Sequence, residues 1–393
     1  MDLKIQLVSD WLTGGYRVSD LARGYGVSRK TVHKWIGRYR DEGAPGLMAR
    51  SRAPHHRPHA IIDAMADRII QTKRAHLSFG PRKVMDLLRR EHPDVDWPAD
   101  STAGELLKRA GLVKKRRAKR RYAADPQPFH LGQANNALWS ADYKGQYPSA
   151  THRWCYPLTI SDNASRYLIG CHGVSATDHA QARPAFEWAF HEYGLPDALL
   201  SDNGPPFASA AAGGLTRLSM WWVQLGIRVH RIQPGKPTQN ARHERMHGTL
   251  NRAIGRQMRR AGEQAQHTAL AEFRHEYNQL RSHESLQRRT PASVYTASNR
   301  RYCPVLRPPD YGPDQTVRRV RHNGEIRFQG QLVYLGALLA KQPVALRQIN
   351  EDRFEVRFGS HLLGYLNSAT KRLEHATVWH RAKSHHVSPM SPV

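Results

Sequence analysis

Three widely spaced acidic residues are the strongest candidates for chemistry in this chain of 393 residues. Asp142 lies in the run WSADYKG, Asp202 in LLSDNGPPF and Glu244 in PGKPTQNARHERMHGTL. Cleavage and rejoining of phosphodiesters uses two divalent cations about 3.5–4 Å apart, which activate the attacking oxygen and stabilise the leaving oxygen. Mg²⁺ prefers oxygen ligands and usually takes one or two protein carboxylates. The three acids therefore predict a site for two Mg²⁺ ions, with Mn²⁺ as a substitute.

The same segment also contains the pattern H-E-x-x-H, in the run HERMH. On a helix, His243 and His247 share one face and can bind zinc, while Glu244 acts as the general base of a metalloprotease. Glu272 or Glu276 downstream is then a candidate third ligand. The pattern is short in a chain with 23 histidines, and a protease leaves Asp142 and the SDNG turn unexplained. The zinc protease is the alternative interpretation of Glu244.

Residues 135–297 contain the elements that must position these acids. The runs ALWSADY, YPLTISD and RYLIGCHGV predict three strands, followed by a helix that ends at Gly194. ALLSD then predicts a strand that ends on Asp202, and a helix and the strand IRVHRI follow. The last element is a long basic helix that carries Glu244. This order predicts an α/β layer architecture with a mixed sheet.

The charge of the chain points to a polyanionic partner. Lys and Arg number 60 against 33 Asp and Glu, which gives a formal net charge of +27. No apolar run approaches the ~20 residues that span a bilayer, so nucleic acid is the better partner than a membrane. The chain has 3 cysteines and no C-x-x-C pair, which argues against disulfides and thiolate zinc fingers. We expect a cytoplasmic, nucleoid-associated protein.

Residues 1–50 predict a helix-turn-helix DNA-binding domain. Ser19 and Ser28 are predicted helix caps, Gly26 supplies the turn, and Ala22 and Val32 are where the helices pack. The alternative interpretation is an ordinary pair of helices with a basic face exposed to solvent and no role in DNA binding. The second helix presents the predicted DNA contacts Arg29, Lys30, His33, Lys34 and Arg38.

The remaining segments complete the predicted domain organisation. Residues 51–60 are a linker, 61–113 a second helical DNA-binding domain and 114–134 a basic linker. After the core, 298–313 form a linker, 314–368 a small β-barrel and 369–393 a flexible tail. A basic linker between domains is expected to follow DNA phosphates through Lys114, Lys115, Arg116, Arg117, Lys119, Arg120 and Arg121.

Several motifs resemble those of a known family. WSADYKG, YPLTISDNASRYLIG, SDNGPPFAS, IQPGKPTQNARHERMHGTLNR and YNQLRSHESLQRRTPASVY are similar to segments of DDE transposases and integrases of the retroviral-integrase type. The N-terminal helix-turn-helix is typical of the bacterial insertion-sequence branch. The resemblance implies an RNase H-like core in which Asp142, Asp202 and Glu244 match the metal-binding triad. Ala241 departs from the family pattern, because a glycine is common there.

The resemblance also implies an activity. A transposase would bind the ends of a mobile element, cleave the 3′ ends by metal-dependent hydrolysis and join them to target DNA by transesterification. Its partners would be double-stranded DNA, both element ends and target, and further copies of the chain on that DNA. Lys236, Asn240 and Arg245 are expected DNA contacts, and Asn203 is expected to orient Asp202. A DNA-binding regulator with an inactive core is the third interpretation, which predicts loss of one acid, whereas all three are present.

Overall fold

The computed structural model describes residues 2–50, 61–113, 132–233 and 237–375. The chain divides into two compact units, Met1–Ile61 and Ile62–Val393. The predicted linker 51–60, the basic run 114–121, Lys236 and the end of the predicted tail (376–393) lie outside the described residues. No helix among the described residues is both long and apolar enough to cross a membrane.

The first unit contains the helices α1 (Leu3–Leu12), α2 (Val18–Gly24) and α3 (Arg29–Glu42). Val32 and Ala22 are buried where the helices pack, and Gly26 adopts φ +62° in the turn before α3. The hydroxyl of Ser28 accepts from the backbone N–H of Thr31 at 3.1 Å and caps α3, as predicted.

The predicted cap at Ser19 is wrong. Helix α2 begins two residues earlier than that cap implies, at Val18, with Arg17 in the cap position. The Asp20 carboxylate accepts from the Arg17 backbone N–H at 3.2 Å. Asp20 therefore satisfies an amide at the start of the helix, and Ser19 lies within the first turn.

The second unit begins with a helical bundle of α4 (Asp63–Ala75), α5 (Pro81–Glu91) and α6 (Asp100–Arg109). Their apolar faces bury Ile69, Val84, Leu88 and Leu107 in one cluster. Pro81 opens α5, where its missing N–H removes no helical hydrogen bond.

This bundle is held against the segment 276–289 of the same unit by polar contacts. Glu276 accepts from Ser78 at 3.2 Å and pairs with His76 at 3.0 Å. Arg288 on that segment pairs with Asp100 of α6 at 2.8 Å and also with Asp86 of α5. All three helices of the bundle, or the loops between them, thus have a fixed contact with the rest of the unit.

A mixed sheet forms the centre of the second unit, as predicted. Its strand order is β2-β3-β1-β5-β6, with β4 paired to β3. Strand β1 is antiparallel to β3 and parallel to β5, which is parallel to β6. The elements are β1 (Trp139–Tyr143), β2 (Tyr147–Pro148), β3 (Trp154–Asp162), β4 (Leu168–Val174), α7 (His179–Tyr193), β5 (Ala198–Ser201), α8 (Arg217–Gln224), β6 (Arg228–Arg231), α9 (Ala241–Met258) and α10 (Glu263–His275).

Helices cover both faces of this sheet. On one face Trp139 of β1 packs with Phe186 and Phe190 of α7 and Trp222 of α8. On the other face α9 and α10 form a second cluster against the strands β2 to β4. Because successive residues of a strand point to opposite faces, Asp142 points away from the face that holds Trp139 and Ala141.

The predicted small β-barrel is not confirmed. One sheet has the order β13-β12-β11-β10-β7, and β8 pairs only with β9 as a separate hairpin. Within the described residues the sheet keeps β7 and β13 as open edges, whereas a barrel pairs its first and last strands. The strands are β7 (Thr316–Arg319), β8 (Glu325–Phe328), β9 (Gln331–Tyr334), β10 (Pro343–Asn350), β11 (Arg353–Phe358), β12 (His361–Asn367) and β13 (Arg372–His375).

The boundary of the predicted tail also shifts. Strand β13 lies beyond residue 368 and pairs with β12 in antiparallel register, with Leu373 opposite Leu366. Residues 372–375 therefore belong to the sheet. Alternation of apolar residues indicates strands, but it does not say which strand lies beside which.

Candidate active site

Asp142 and Asp202 lie at matching ends of neighbouring parallel strands. The last residue pair of the β1–β5 ladder joins Ala141 to Ser201, and each acid follows its member of that pair. Because parallel strands end at the same edge of a sheet, the fold brings together two acids that are 60 positions apart in sequence.

The turn after β5 holds Asp202 in place. The backbone N–H of Gly204 donates to Asp202 Oδ1 at 3.2 Å. Asn203, predicted to orient Asp202, instead donates from its side-chain amide to the Ile232 carbonyl at 2.7 Å. Asn203 thereby ties the turn to the chain just after β6, so its effect on Asp202 comes through the backbone.

Glu244 lies in the first turn of α9, with an exposed side chain. Just before this helix, the buried Asn240 donates its amide to Asp142 Oδ2 at 3.0 Å. Asn240 was predicted to contact DNA, but its amide is bound to Asp142. The start of α9, which carries Glu244, is thus attached directly to the carboxylate at the end of β1.

The charges of the three acids act on one another. Burial, together with the negative charges of Asp202 and Glu244, raises the pKa of Asp142 to about 7. Burial also raises the pKa of Asp202, against the Gly204 hydrogen bond, which lowers it. The half-buried Asp142 carboxylate is repelled by two other carboxylates. A bound divalent cation would offset that repulsion.

A buried hydroxyl connects β1 to α9 beneath this site. Thr159 of β3 lies opposite Asp142 in the strand register, and its hydroxyl donates to the Asp142 carbonyl at 2.9 Å. The same oxygen lies 2.7 Å from His243 Nε2 and 2.8 Å from His247 Nε2. A hydroxyl has one proton and two lone pairs, so both imidazoles donate to it.

Both histidines are therefore neutral and oriented. Burial lowers the pKa of His243 to about 3 and that of His247 to about 2, where a nearby His243 and Lys144 add to the effect. The second ring nitrogen of His243 lies 3.1 Å from the Ser161 hydroxyl, which donates to it. The two histidines hold α9 on the strands that carry the acids.

These contacts bear on the zinc alternative. Asp142, His243 and His247 offer ligand atoms within 4.8 Å of one another, a set that could hold a metal ion. Both Nε2 atoms, however, are engaged by the Thr159 hydroxyl. The proposed third ligands lie elsewhere, because Glu272 is exposed and Glu276 is bound to His76 and Ser78. The structure thus favours a positioning role for HERMH over a protease site.

The predicted DNA contacts fall into different places. On α3, Arg29, Lys30, His33 and Lys34 are exposed. Arg38 is half-buried and lies over the Trp35 ring at 5.0 Å. Arg245 is exposed on α9. Arg245 follows Glu244 directly in the sequence.

Sequence reasoning missed Thr159 and Ser161. They are polar residues at alternate positions of YPLTISD, a strand that is otherwise apolar at its centre. Two hydroxyls on one face of a buried strand need partners, and that requirement is the signal that could have identified them.

Comparison with family models gives two matches to an integrase core domain, over residues 132–237 and 225–291. A helix-turn-helix domain model matches residues 3–55, and a homeodomain-like model matches 31–107. The integrase models include all three acids and the elements that position them. Residues 132–291 are therefore similar to an integrase core domain.

Two relatives of this integrase core come from bacterial insertion elements. The uncharacterized 39.2 kDa protein of insertion element IS476 from Xanthomonas euvesicatoria is 31% identical over 60% of this chain, which spans 65% of that relative's length. The uncharacterized 31.7 kDa protein of IS407 from Burkholderia multivorans is 28% identical over 65% of this chain and 89% of its own.

Among solved structures, the integrase core is similar to retroviral integrases. A simian T-cell lymphotropic virus intasome chain matches with a TM-score of 0.37 and 16% identity, covering 67% of this chain and 90% of that one. The HTLV-2 integrase catalytic core with magnesium gives a TM-score of 0.32 at 16% identity, over 42% of this chain and 98% of that one.

The raised pKa of Asp142 predicts how this integrase core responds to pH. The folded pKa of about 7 lies above the ordinary 3.8, so the folded state holds the proton more tightly and loses stability as pH rises between those values. We expect Asp142→Asn to raise the melting temperature of the metal-free protein at pH 8, with a difference that shrinks towards pH 4. Thermal unfolding by circular dichroism measures this.

The matched control is Asp197→Asn, at the other end of β5, where the acid is exposed and paired with Arg300. It should show no such gain. Adding Mg²⁺ at pH 8 should stabilise the wild type and not Asp142→Asn, because a ligand that binds only the folded state raises its stability. A variant less stable than the wild type throughout this pH range would contradict the proposed charge crowding.

The Thr159 contacts give a second prediction. Thr159→Val removes the hydroxyl and leaves two buried imidazole donors unsatisfied, which costs about 1–3 kcal/mol for each group. Thr159→Ser keeps the hydroxyl and loses one methyl, worth about 0.8 kcal/mol. We expect a much lower free energy of unfolding for the valine variant in urea denaturation, together with weaker stabilisation by Mg²⁺. Equal behaviour of both variants would argue against the role of the hydroxyl.

Proposed function

We propose that this chain is a DNA transposase, a polynucleotidyl transferase with an RNase H-like core. It binds the ends of a mobile DNA element, cleaves the 3′ ends by metal-dependent hydrolysis and joins them to target DNA by transesterification. The observation that carries the proposal is the meeting of Asp142, Asp202 and Glu244 at one edge of the mixed sheet, with Asp142 half-buried among their charges. The similarity of residues 132–291 to integrase core domain models and the insertion-element relatives support it.

The donor set fits Mg²⁺. Its groups are carboxylate oxygens, which are hard ligands. The side-chain donor to the half-buried Asp142 carboxylate is the neutral amide of Asn240, which does not balance its charge. Asp142, Asp202 and Glu244 would hold two Mg²⁺ ions, or Mn²⁺ in their place. When bound, such a pair activates water or a 3′-hydroxyl for attack and stabilises the leaving oxygen.

The chain's own residues prepare this site. Asn240 donates to one oxygen of Asp142 and orients that carboxylate. The Gly204 N–H fixes one oxygen of Asp202 in the same way. The Thr159 hydroxyl and the two histidines hold α9, and with it Glu244, against the strand that carries Asp142. One arrangement can serve hydrolysis and strand transfer in turn, because both are attacks of an oxygen on phosphorus.

DNA would be recognised by the helical regions. We assign end binding to α3, through its exposed basic residues, and to the second helical region 61–113. Phosphate contacts are assigned to the basic segment 114–121 and to Lys236. Two element ends have to be processed together, so we expect copies of the chain to assemble on DNA, with the catalytic part at 135–297 and the C-terminal sheets in a supporting role.

The test uses the purified full chain and labelled DNA taken from the flanks of its coding region, with Mg²⁺ or Mn²⁺. The wild type should nick the 3′ ends and join them to a second duplex. Asp202→Asn and Glu244→Gln should lower both reactions by a factor on the order of 10³ or more, the scale at which electrostatic groups at a reaction centre act. Gel electrophoresis of the labelled strands measures this.

The matched control is again Asp197→Asn, which removes the same charge from the opposite end of the same strand. It should retain wild-type rates. Cleavage retained in Asp202→Asn would contradict the assignment of the acids. Zinc-dependent hydrolysis of peptides, with no reaction on DNA, would overturn the proposal in favour of the protease.

A further inference from the structure

The loop 203–216 joins Asp202 to α8, and we call it the Asp202 loop. Its residues Ala212 and Leu215 are buried in one apolar cluster with residues of the C-terminal sheet, among them Phe358. The core of the C-terminal sheet therefore extends onto the segment that follows the second acid.

One carbonyl group connects the mixed sheet to the C-terminal sheet. The Gly213 oxygen accepts from Arg231 Nη1 at 3.2 Å and lies 2.9 Å from His361 Nε2. Arg231 ends β6 and His361 begins β12. Because a carbonyl oxygen only accepts, the proton of the imidazole lies on Nε2, which donates. Burial lowers the pKa of His361 to about 4, so the ring is a neutral donor near pH 7.

Two glycines allow the loop to approach its partners this closely. Gly213 has φ +60° and Gly214 has φ +69°, which are left-handed conformations that favour glycine. A Cβ on Gly213 would lie 2.7 Å from the carbonyl oxygen of Leu362, and one on Gly214 would lie 1.9 Å from Arg231 Nη1. Any larger residue would push the loop away from β12 or from β6.

The first half of the loop is folded onto Asp202. The Gly204 N–H donates to the Asp202 carboxylate, and the Gly204 carbonyl accepts from the N–H groups of Phe207 and Ala208 at 2.9 and 3.1 Å. The Phe207 side chain is fully buried and stacks on Trp222 of α8. The residues that orient the carboxylate are thus part of one compact turn.

The second half of the loop closes back onto this turn. The Ser209 N–H donates to the Gly214 carbonyl at 3.1 Å, and the Ser209 hydroxyl donates to the Leu215 carbonyl. Arg231 Nη2 donates to the same Gly214 oxygen at 2.6 Å. In the strand register Arg231 lies opposite Ser201, the residue before the second acid. A continuous set of hydrogen bonds therefore runs from the second acid to β12.

We propose that His361 is a positioning residue for Asp202, and that the C-terminal sheet completes the metal site by holding the Asp202 loop through the Gly213 carbonyl. The inference rests on the proposed function, because it takes Asp202 as a ligand for divalent cations. His361 touches neither metal nor DNA and acts on the acid through the loop alone. The C-terminal sheet then has a part in the reaction that requires no contact with DNA.

The first test measures binding of Mn²⁺ to the full chain without DNA, from the electron paramagnetic resonance signal of the free ion. His361→Ala removes the donor to Gly213 and should weaken Mn²⁺ affinity about three- to tenfold, the scale of one hydrogen bond. His361→Gln keeps an N–H donor at a similar distance from the backbone and should restore the affinity. Gly213→Ala should weaken binding at least as much as His361→Ala, because its Cβ meets the β12 backbone.

The matched control is Phe354→Leu, which weakens the C-terminal sheet away from the loop. The Phe354 ring packs edge-on against Phe328 of β8, with 4.9 Å between the ring centres. This variant should lower the melting temperature and leave Mn²⁺ affinity unchanged. If its affinity falls as far as that of His361→Ala, the effect is a general loss of stability and the inference is overturned.

The second test needs no metal. Hydrogen exchange of the full chain, followed by mass spectrometry of peptides that cover 203–216, reports how firmly the loop is held. Exchange of this segment should be faster in His361→Ala and unchanged in His361→Gln and Phe354→Leu. Unchanged exchange in His361→Ala would overturn the inference whatever the Mn²⁺ affinity. If Gly213→Ala does not fold, the His361 variants decide the matter.

The outcome is separable from that of the proposed function. A wild type that shows the expected Mn²⁺ and exchange differences but never cleaves DNA would remove the transposase proposal and leave the positioning role. A wild type that cleaves DNA, with His361→Ala equal to it in affinity and exchange, would remove only the positioning role. In the cleavage assay, saturating Mn²⁺ should restore the rate of His361→Ala and not that of Asp202→Asn.

Discussion

The rest of the structure depends on negative charge held at one edge of a sheet. Asp142 and Asp202 come from parallel neighbouring strands, and Glu244 approaches from a helix. Without a cation these groups repel one another, and burial of Asp142 increases the cost because the charged form loses its water. The aromatic layer around Trp139 and Trp222 on the opposite face supplies stability that is independent of this edge.

The polar groups beneath the acids resist that repulsion. The buried hydroxyl of Thr159 receives hydrogen bonds from two imidazoles and donates to the backbone of the residue that carries the first carboxylate. Because these hydrogen bonds join α9 to the strands, separation of α9 from β1 would expose unsatisfied polar atoms. The positions of the acids are thus set partly by contacts that do not involve their carboxylates.

Much of this arrangement could be predicted from the sequence, for a physical reason. Asp142 lies within the run ALWSADY, Asp202 ends the run ALLSD, and Glu244 follows a Pro/Gly turn on a basic helix, so local pattern indicated where each acid lies. The order of strands and helices between 139 and 258 followed from the same periodicity, except for the two-residue strand β2, and the mixed sheet is confirmed.

What the sequence could not supply was pairing between distant segments. Nothing near Asn240 indicates that its amide reaches Asp142, 98 positions away, and Thr159 meets His243 and His247 only through the fold. The predicted barrel failed for the same reason, since β7 and β13 carry strand-like alternation but are not each other's partner. Ser19 failed through local competition, because Asp20 is the better acceptor for the first turn.

The contacts between the helical bundle and segment 276–289 bear on the distance along a DNA substrate between the site of recognition and the site of cleavage. Asp86, Asp100 and Glu276 lock α5, α6 and the α4–α5 loop to the body that holds the acids, so the bundle cannot slide with respect to them. If one duplex contacted both the helical bundle and the acids, the protein would fix the distance between the base pairs that the bundle reads and the bond that the acids cut. Tolerance for variable spacing would then have to come from the separate unit at the N-terminus.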